Sequence, residues 1–169
     1  MPPADPSAPA HGAAAARPTV MVIHGPNLDL LGTREPDVYG TTTLPELDRK
    51  IVELGATLGV VVEAHQTNGE GAFIELLHRA RGRCAGVIVN PGGYTHTSVA
   101  IHDALRAVDA PVVEVHLSNL YAREPIRHGS ITGAACRGVV MGLGQDSYLL
   151  ALRHLAARIH ASVATPEHA

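Results

Sequence analysis

The chain has 169 residues, of which 46% are hydrophobic and 17% are charged, and its formal net charge is −3. This length supports one globular domain with a substantial core, and the slightly acidic balance argues against a nucleic-acid or membrane partner. No apolar run approaches the ~20 residues that a membrane-spanning helix requires. Cys84 and Cys136 lack CxxC spacing, so we expect buried thiols of a reducing, cytoplasmic compartment rather than a disulfide or a metal site.

The two ends of the chain differ in composition from the middle. Residues 1–18 are rich in Pro and Ala, and they lack the basic start and apolar run of a signal peptide. We therefore predict disordered segments at residues 1–18 and 162–169, with a single domain over residues 19–161.

The first half of that domain predicts two strand–helix units. A strand over Thr19–Ile23 is stopped by Gly25-Pro26-Asn27. A long polar segment over 32–40 then precedes a helix over Leu44–Leu58, whose apolar spacing is helical. The second unit comprises a strand over Val60–Ala64, a loop over Gln66–Gly71 and a helix over Ala72–Gly82.

The third strand, Ala85–Val89, leads into a distinctive stretch. Its β-branched run is typical of a strand buried on both faces, and Asn90 and Pro91-Gly92-Gly93 end it. A helix over Ser98–Val108 follows, and Ser98 is placed to cap its free N–H groups, which favour an anion. The remaining elements are a strand over Pro111–Val115, a loop over His116–Thr132, a strand over Arg137–Leu143 and a helix over Gln145–His160.

Five apolar strands that alternate with helices predict a parallel sheet covered on both faces. Five strands fit a flavodoxin-like α/β three-layer sandwich, with strand order 2-1-3-4-5, better than a full dinucleotide-binding fold. Sheets of this kind bind ligands beyond the carboxyl ends of their strands, at the switch point between strands 1 and 3.

Polar side chains gather at these predicted strand ends. Any one of them alone is better explained by a capping or turn-forming role, but three strand ends together favour a binding site. The residues are His24 and Asn27 after strand 1, Asn90 and His96 after strand 3, and Glu114, His116, Ser118 and Asn119 at strand 4.

Several reaction classes lack the motif that they need. The sequence has no GxxxxGK[ST] or GxGxxG phosphate loop, no HExxH-like ligand spacing for a metal and no GxSxG nucleophile elbow. Its one lysine, Lys50, lies in the first predicted helix, away from the strand ends, which argues against a Schiff base. Proton transfer without a cofactor or a metal is the chemistry that remains.

His116 is the first candidate for proton transfer. A strand-end histidine that bonds to the backbone would look the same in the sequence, so this alternative stays open. Glu114 lies two residues earlier and therefore on the same face of the strand. A carboxylate in that place would orient the imidazole and raise its pKa, which suits a general acid.

Tyr39 is the second candidate. It lies in the polar loop between Gly32 and Gly40, which look like the hinges of a lid. Tyrosine titrates near ~10, but Arg34 could supply the positive charge that stabilises a tyrosinate. A loop tyrosine that packs over a neighbour is the alternative interpretation.

Three further charged residues have weaker signals. Arg127 lies on a loop that returns toward the strand ends, where ligand binding and solubility are equally good interpretations. Arg123 is interpreted as a solvated surface residue. Asp103 is expected to be a solvated residue of the third helix, unless another subunit brings it to a neighbouring pocket.

Three stretches of the chain form a longer pattern. They are His-Gly-Pro-Asn-Leu-Asp-Leu-Leu-Gly-Thr-Arg-Glu-Pro-Asp-Val-Tyr-Gly at 24–40, Asn-Pro-Gly-Gly-Tyr-Thr-His-Thr-Ser-Val-Ala at 90–100 and Glu-Val-His-Leu-Ser-Asn at 114–119. This pattern resembles the type II 3-dehydroquinate dehydratases, and Tyr148-Leu149-Leu150-Ala151-Leu152 fits as well. The resemblance extends from about Thr19 to Ile159.

The resemblance implies the reversible anti elimination of water from 3-dehydroquinate, through an enolate, with no cofactor and no metal. It implies that Tyr39 removes the C2 proton and that His116 protonates the departing hydroxyl. The other implied roles are Arg34 as the group that keeps Tyr39 ionised, Glu114 as the group that orients His116, Asn27 at the enolate oxygen, Asn90, Leu117 and Ser118 at the substrate carboxylate, and His96 and Arg127 at the ring hydroxyls. Asp103 would come from the adjacent subunit of a homo-oligomer, a dodecamer built from trimers.

The sequence departs from this pattern at Asp29, Tyr121 and the segments 66–72 and 128–131, which bear on lid closure and subunit contacts. Two other classes of function remain alternatives. One is a non-catalytic small-molecule or phosphate-binding module, which would have no use for a Tyr39–Arg34 pair. The other is a structural assembly subunit, in which the polar residues at the strand ends would be dispensable.

Overall fold

The computed structural model describes residues 16–33 and 41–164. Its strands are β1 (Thr19–His24), β2 (Val61–Gln66), β3 (Gly86–Asn90), β4 (Val112–His116) and β5 (Gly138–Met141). Its α-helices are α1 (Leu44–Thr57), α2 (Glu70–Ala80), α3 (Val99–Arg106) and α4 (Asp146–Ala164). Short 3-10 helices occupy Leu28–Leu30, Gly92–His96, Leu120–Ala122, Pro125–Arg127 and Thr132–Ala135.

All five strands are parallel and lie in the order β2-β1-β3-β4-β5. This confirms the flavodoxin-like strand order that the sequence predicts. In the pairing of β1 with its two neighbours, Val22 lies opposite Ala64 of β2 and Ile88 of β3. The switch point therefore falls between β1 and β3, whose carboxyl ends open toward the same edge.

Three strands extend one residue beyond their predicted ends. His24, Asn90 and His116 are the last residues of β1, β3 and β4, because each still pairs with a neighbouring strand. The predicted strands end where the apolar run ends, but backbone pairing does not depend on side-chain polarity. The last helix also continues beyond its predicted end at His160, to Ala164.

Helix starts are explained by local capping. Thr43 precedes α1, and the Glu46 carboxylate accepts hydrogen bonds of 2.9 Å from both the backbone N–H and the hydroxyl of Thr43. Ser98 caps α3 as predicted, because its hydroxyl accepts the Ile101 N–H at 2.8 Å. That cap already satisfies one of the free N–H groups that would favour an anion.

The two faces of the sheet bury separate cores, because successive strand residues point to opposite sides. One core contains Val20, Val22 and Ile88 and is covered by α1 and α4. The other contains Met21, Ile23, Val87 and Val89 and is covered by α2 and α3. The polar residues at the strand ends follow the same alternation, so they divide between the two faces.

The loops after β1 and β3 touch through their backbones. Gly25 donates its N–H to the Asn90 carbonyl at 2.8 Å, and a Cβ on Gly25 would lie 2.7 Å from the carbonyl carbon of Pro91. No side chain fits between the two loops at this point. Two residues later, Asn27 has a left-handed backbone with φ 66°, a conformation that Asn tolerates better than most residues.

Neither cysteine forms a disulfide, and Cys84 is buried as expected, whereas Cys136 is only partly buried. Burial raises the pKa of both thiols, which keeps them protonated and unreactive. Over residues 16–33 and 41–164, no helix is long and apolar enough to cross a membrane. The same residues contain no group of three or more His, Cys, Asp or Glu side chains suited to a metal ion.

Candidate active site

A cleft lies at the carboxyl edge of the sheet, between the loops that follow β1, β3 and β4. It collects most of the residues that the sequence singles out, which confirms their predicted proximity. Its lining includes Asn27, Asn90, His96, His116, Leu117, Ser118 and Arg127.

One charged candidate does not line the cleft, and two further candidates belong to the part of the chain that the structure does not describe. Asp103 on α3 is 73% exposed and is not among the residues that line the cleft. Tyr39 and Arg34 lie outside the described residues, as does Gly40 of the predicted lid. The other predicted hinge, Gly32, has a left-handed backbone with φ 84°, which favours glycine.

Glu114 and His116 form a buried pair beside the cleft. They occupy alternate positions on β4, so both side chains point to the same face of the sheet, as the sequence predicts. His116 Nε2 lies 2.7 Å from Glu114 Oε1, and both side chains are at most 5% exposed. Because Nε2 faces the carboxylate, Nδ1 is the ring nitrogen that a ligand in the cleft can reach.

Three hydroxyl groups, which we call the hydroxyl cage, surround the same carboxylate. Thr95 and Ser130 each donate to Glu114 Oε1 at 2.8 Å, and Thr132 donates to Glu114 Oε2 at 2.5 Å. Ser130 in turn accepts the Gly133 N–H at 2.7 Å. Together with His116, the cage gives Glu114 four donors, which is the surrounding that a buried carboxylate needs to stay ionised.

Burial and hydrogen bonding act in opposite directions on Glu114. Burial alone would raise the pKa of this carboxyl, but the hydrogen bonds from His116, Thr132 and Ser130, with the attraction of the imidazole, hold the pKa below its ordinary value of 4.5. Glu114 is therefore an anion at neutral pH. An anion accepts the His116 Nε2–H and so holds the imidazole in one orientation beside the cleft.

The sequence did not identify the hydroxyl cage. Thr95 belongs to a 3-10 helix after β3, whereas Ser130 and Thr132 lie on the loop after β4. Their approach to Glu114 depends on how two irregular segments fold against each other, which no periodic pattern records. The run of hydroxyl residues from Thr95 to Ser98 was the only available signal.

His24 does not reach the cleft rim, contrary to the prediction. It has the same strand parity as Val20 and Val22, so its ring turns toward α1 and α4 and is fully buried. Its Nε2 lies 2.8 Å from Asp48 Oδ1, and its Nδ1 lies 3.0 Å from Tyr148 Oη. Asn119 is likewise not part of the lining, and its side chain instead caps the 3-10 helix at Leu120–Ala122.

Two arginines form a cationic wall of the cleft. Arg123 lines it beside Arg127, so the interpretation of Arg123 as a plain solvated residue was wrong. The Glu124 carboxylate lies between them, 3.4 Å from Arg123 Nε and 3.2 Å from Arg127 Nε. On the same side, His96 Nδ1 bonds to the Gly129 carbonyl at 2.7 Å, which directs Nε2 away from that carbonyl.

A cluster of amides supports the loop that carries Asn27. The Asn27 N–H donates to Asn68 Oδ1 at 2.8 Å, and Gln66 Nε2 donates to the same oxygen at 3.0 Å. Asn68 also approaches Asp29 at 3.4 Å. Gln66, Asn68 and Asp29 belong to the segments that depart from the resembled pattern, and here they bond to one another.

Comparison with known proteins gives a consistent result. The sequence model of the family described as dehydroquinase class II matches residues 18–156. The chain is 51% identical over 140 residues to 3-dehydroquinate dehydratase 2 of Pseudomonas putida, covering 83% of this chain and 94% of the relative. It is 50% identical over 137 residues to the catabolic 3-dehydroquinase of Penicillium rubens, covering 81% and 88%. The crystal structure of the type II dehydroquinase from Propionibacterium acnes matches with a TM-score of 0.80 and 43% identity, covering 82% and 96%.

Proposed function

The chain belongs to the class II dehydroquinase family, and we propose that its cleft catalyses the reversible dehydration of 3-dehydroquinate to 3-dehydroshikimate. The observation that carries this proposal is the buried Glu114–His116 pair at the cleft, because it offers a carboxylate-supported imidazole to a bound ligand. The names of the relatives carry the same activity, in one case as a catabolic enzyme.

The proposed reaction removes water across C1 and C2 of the ring. A base takes the C2 proton, which the neighbouring C3 carbonyl makes acidic, and the electron pair moves into the carbonyl to give an enolate. The carbonyl then re-forms, the C1–C2 double bond forms, and the C1–O bond breaks as an acid protonates the departing hydroxyl. One proton is taken and one is given, so the chemistry balances as general acid–base catalysis.

His116 is the proposed acid. Its Nδ1 is the nitrogen available to the C1 hydroxyl, because Nε2 is engaged by Glu114. The hydroxyl cage holds the ionised carboxylate in place, and the carboxylate in turn holds the ring in one orientation. Glu114 thus acts through His116 and does not itself touch the substrate.

Tyr39 is the proposed base, and Arg34 is the proposed source of the charge that keeps it ionised. Both assignments rest on the motif at residues 24–40 and on charge chemistry. A guanidinium within reach of a phenol lowers its pKa by roughly 1–3, which brings a group that titrates near ~10 toward neutral pH.

The remaining cleft residues bind the substrate in this proposal. Asn90, the Leu117 backbone and Ser118 hold the carboxylate, and His96 and Arg127 contact the ring hydroxyls. Asn27 stabilises the enolate oxygen through a water. Their common position on one cleft supports these roles, and the cationic wall suits a substrate that carries a carboxylate.

We also propose a cytoplasmic homo-oligomer, a dodecamer of trimers, as the active form. Asp103 projects from α3 with a 73% exposed side chain, a position that suits a contact with the cleft of an adjacent subunit. If the site is shared in this way, activity should fall when the protein is diluted until the subunits separate. Size-exclusion chromatography with light scattering, run beside rate measurements, tests this.

Mixing purified protein with 3-dehydroquinate and following the ultraviolet absorbance of the conjugated enone tests the activity. We expect the absorbance to rise, with a bell-shaped dependence of rate on pH, because one group must be ionised and the other protonated. Tyr39→Phe should bind substrate but lose turnover by about 10²–10⁴-fold. If the absorbance does not rise even at a high concentration of the wild-type protein, the dehydratase activity is rejected. If Tyr39→Phe keeps the wild-type turnover, Tyr39 is rejected as the base.

A further inference from the structure

A second buried polar network lies behind Asn90, on the face of the sheet opposite Glu114. Asn90 Nδ2 lies 2.9 Å from Tyr148 Oη, which lies 3.0 Å from His24 Nδ1, and His24 Nε2 lies 2.8 Å from Asp48 Oδ1. At the other end, Asn90 Oδ1 accepts the Gly92 N–H at 3.1 Å. We call these five residues the Tyr148 chain. It connects α1, β1, α4 and β3 to a residue that lines the cleft.

For a neutral His24, the direction of every hydrogen bond in this chain follows from its two ends. The Gly92 N–H can only donate, so the Asn90 atom that faces it is the carbonyl oxygen. Nδ2 must then face Tyr148 and donate to Oη, which leaves the phenolic hydrogen for His24 Nδ1. The imidazole consequently carries its proton on Nε2 and donates it to Asp48. Because a carboxylate can only accept, this direction is consistent from one end to the other.

We propose that His24, Asp48 and Tyr148 are positioning residues that hold the Asn90 amide in the orientation required for binding the substrate carboxylate. An amide nitrogen has two hydrogens. One is used by Tyr148, so the second is left as a donor toward the cleft. This inference rests on the proposed function, because it assumes a ligand whose carboxylate meets Asn90.

The alternative orientation of Asn90 would work against binding. A flipped amide would turn its oxygen to the side that now donates, where it would repel a carboxylate. Tyr148 and Gly92 together prevent that flip, and each contributes one hydrogen bond. Burial strengthens the restraint, because His24 and Tyr148 are fully buried and Asn90 is 3% exposed, and burial also raises the pKa of Tyr148, so that the phenol keeps its hydrogen.

Tyr148→Phe is the direct test, because it removes the hydroxyl and keeps the ring. We expect KM for 3-dehydroquinate to rise about tenfold, with kcat within about threefold, since one hydrogen bond that orients the binding group is lost. In an Asn90→Ala background the same substitution should add less than about twofold, because the two residues act through one contact. Thr57→Val, which removes an exposed hydroxyl that bonds to the Leu54 carbonyl away from the cleft, is the control and should leave KM unchanged.

Asp48 supplies a test that does not alter a fully buried residue, since its side chain is 30% exposed. Asp48→Asn keeps an oxygen that accepts the His24 Nε2–H, so KM should stay within about twofold of wild type. Asp48→Ala removes the acceptor and should raise KM by about threefold or more. A purely structural role would lower the thermal midpoint of these variants without separating KM from kcat.

Nitrogen-15 spectra of the His24 imidazole report the direction of the chain independently of activity. We expect a protonated Nε2 and an unprotonated Nδ1 at neutral pH, and the opposite tautomer would overturn the inference. An active wild type with unchanged KM in Tyr148→Phe would also overturn it and leave the proposed function intact. A wild type without dehydratase activity would reject the proposed function, and the role in substrate binding with it.

Discussion

Two buried polar networks flank the cleft, one on each face of the sheet, and they are built on opposite principles. Around Glu114, His116 and the hydroxyl cage all donate to one carboxylate. In the Tyr148 chain, each side chain between the ends both donates and accepts, so the bonds run in one line from Gly92 to Asp48. The first network stabilises the charge of Glu114, and the second holds the Asn90 amide in one orientation.

The difference predicts which measurements each network controls. Removing a donor from Glu114 leaves a buried anion with fewer hydrogen bonds. This should lower the free energy of unfolding and alter His116, the proposed acid. Removing the Tyr148 hydroxyl breaks the hydrogen bond to Asn90 without removing a charged group. Substrate affinity should therefore change more than turnover. In the proposed mechanism, the two faces of one sheet therefore divide the tasks of proton transfer and substrate binding.

Glu114→Gln should have the largest effect and would break the charged network. We expect kcat to fall by about 10²–10³-fold, because the neutral amide lacks the negative charge that faces the imidazole of the proposed general acid. The measurement is the initial rate of enone formation. Glu63→Gln, at a carboxylate on β2 that is about a third exposed and pairs with Arg83, is the control. Equal kcat in both variants would refute the role assigned to the buried carboxylate.

Thr132→Val removes one member of the hydroxyl cage with little change of shape. Loss of a hydrogen bond to a buried charge should lower the free energy of unfolding by about 1.5–3 kcal/mol. Urea denaturation at neutral pH measures this. Thr57→Val is the control, since its hydroxyl is exposed and bonds only to the Leu54 carbonyl, so we expect a change below about 1 kcal/mol. A Thr132 effect no larger than that of Thr57 would contradict the cage.

The pH dependence of stability should distinguish the two networks. The folded-state pKa of Glu114 is held below the ordinary 4.5, so the unfolded chain binds this proton more readily than the folded one. Its contribution is therefore complete above about pH 4.5 and is lost as the pH falls through the lower folded value. Acid denaturation should show a shallower loss of stability for Glu114→Gln than for wild type. The difference should be about 1.4 kcal/mol for each tenfold difference in proton affinity between the folded and unfolded chains.

The same experiment on Tyr148→Phe provides the contrast. The Tyr148 substitution removes no carboxylate from the protein, so the acid slope should match that of wild type even where overall stability is lower. A flattened slope in Tyr148→Phe would show that the two networks are coupled, against the division proposed above.

The smallest effect is expected at the surface. Glu63 and Arg83 form a two-point ion pair at 2.8 and 2.7 Å on the outer strand β2, and the arginine lowers the pKa of Glu63. Both side chains are about a third exposed or more, so water and salt screen the attraction. Glu63→Gln should change the free energy of unfolding by less than about 1 kcal/mol, and added salt should diminish the difference. A cost comparable with that of Thr132→Val would undermine the distinction between buried and exposed carboxylates.

The sequence predicts the sheet and, within the first network, the Glu114–His116 pair. Apolar runs separated by Gly and Pro indicate a parallel sheet, and the two-residue spacing of Glu114 and His116 places them on one face. The same parity, applied to His24 with Val20 and Val22, places its ring in the core instead of at the rim. The signal for the buried position of His24 is therefore present in the sequence.

Other features could not be predicted, because they depend on irregular backbone. The hydroxyl cage requires Thr95 and Thr132 to meet across two loops, and Arg123 reaches the cleft through the turn that follows β4. Asp48 and Tyr148 are far apart in the chain and join His24 only after α1 and α4 pack on one face. Tyr39 and Arg34 remain predictions, because they lie outside the described residues.

The backbone contact between Gly25 and Asn90 has a consequence for how this cleft can adapt. The loops that follow β1 and β3 touch there through their peptide groups, and no side chain lies between them whose length could be altered to spread the two loops apart. A ligand of different size should therefore be accommodated at the cationic wall, which the long side chains of Arg123 and Arg127 line. We expect substitutions that change substrate selectivity to accumulate around Arg123 and Arg127, whereas the loops that touch at Gly25 should keep their spacing.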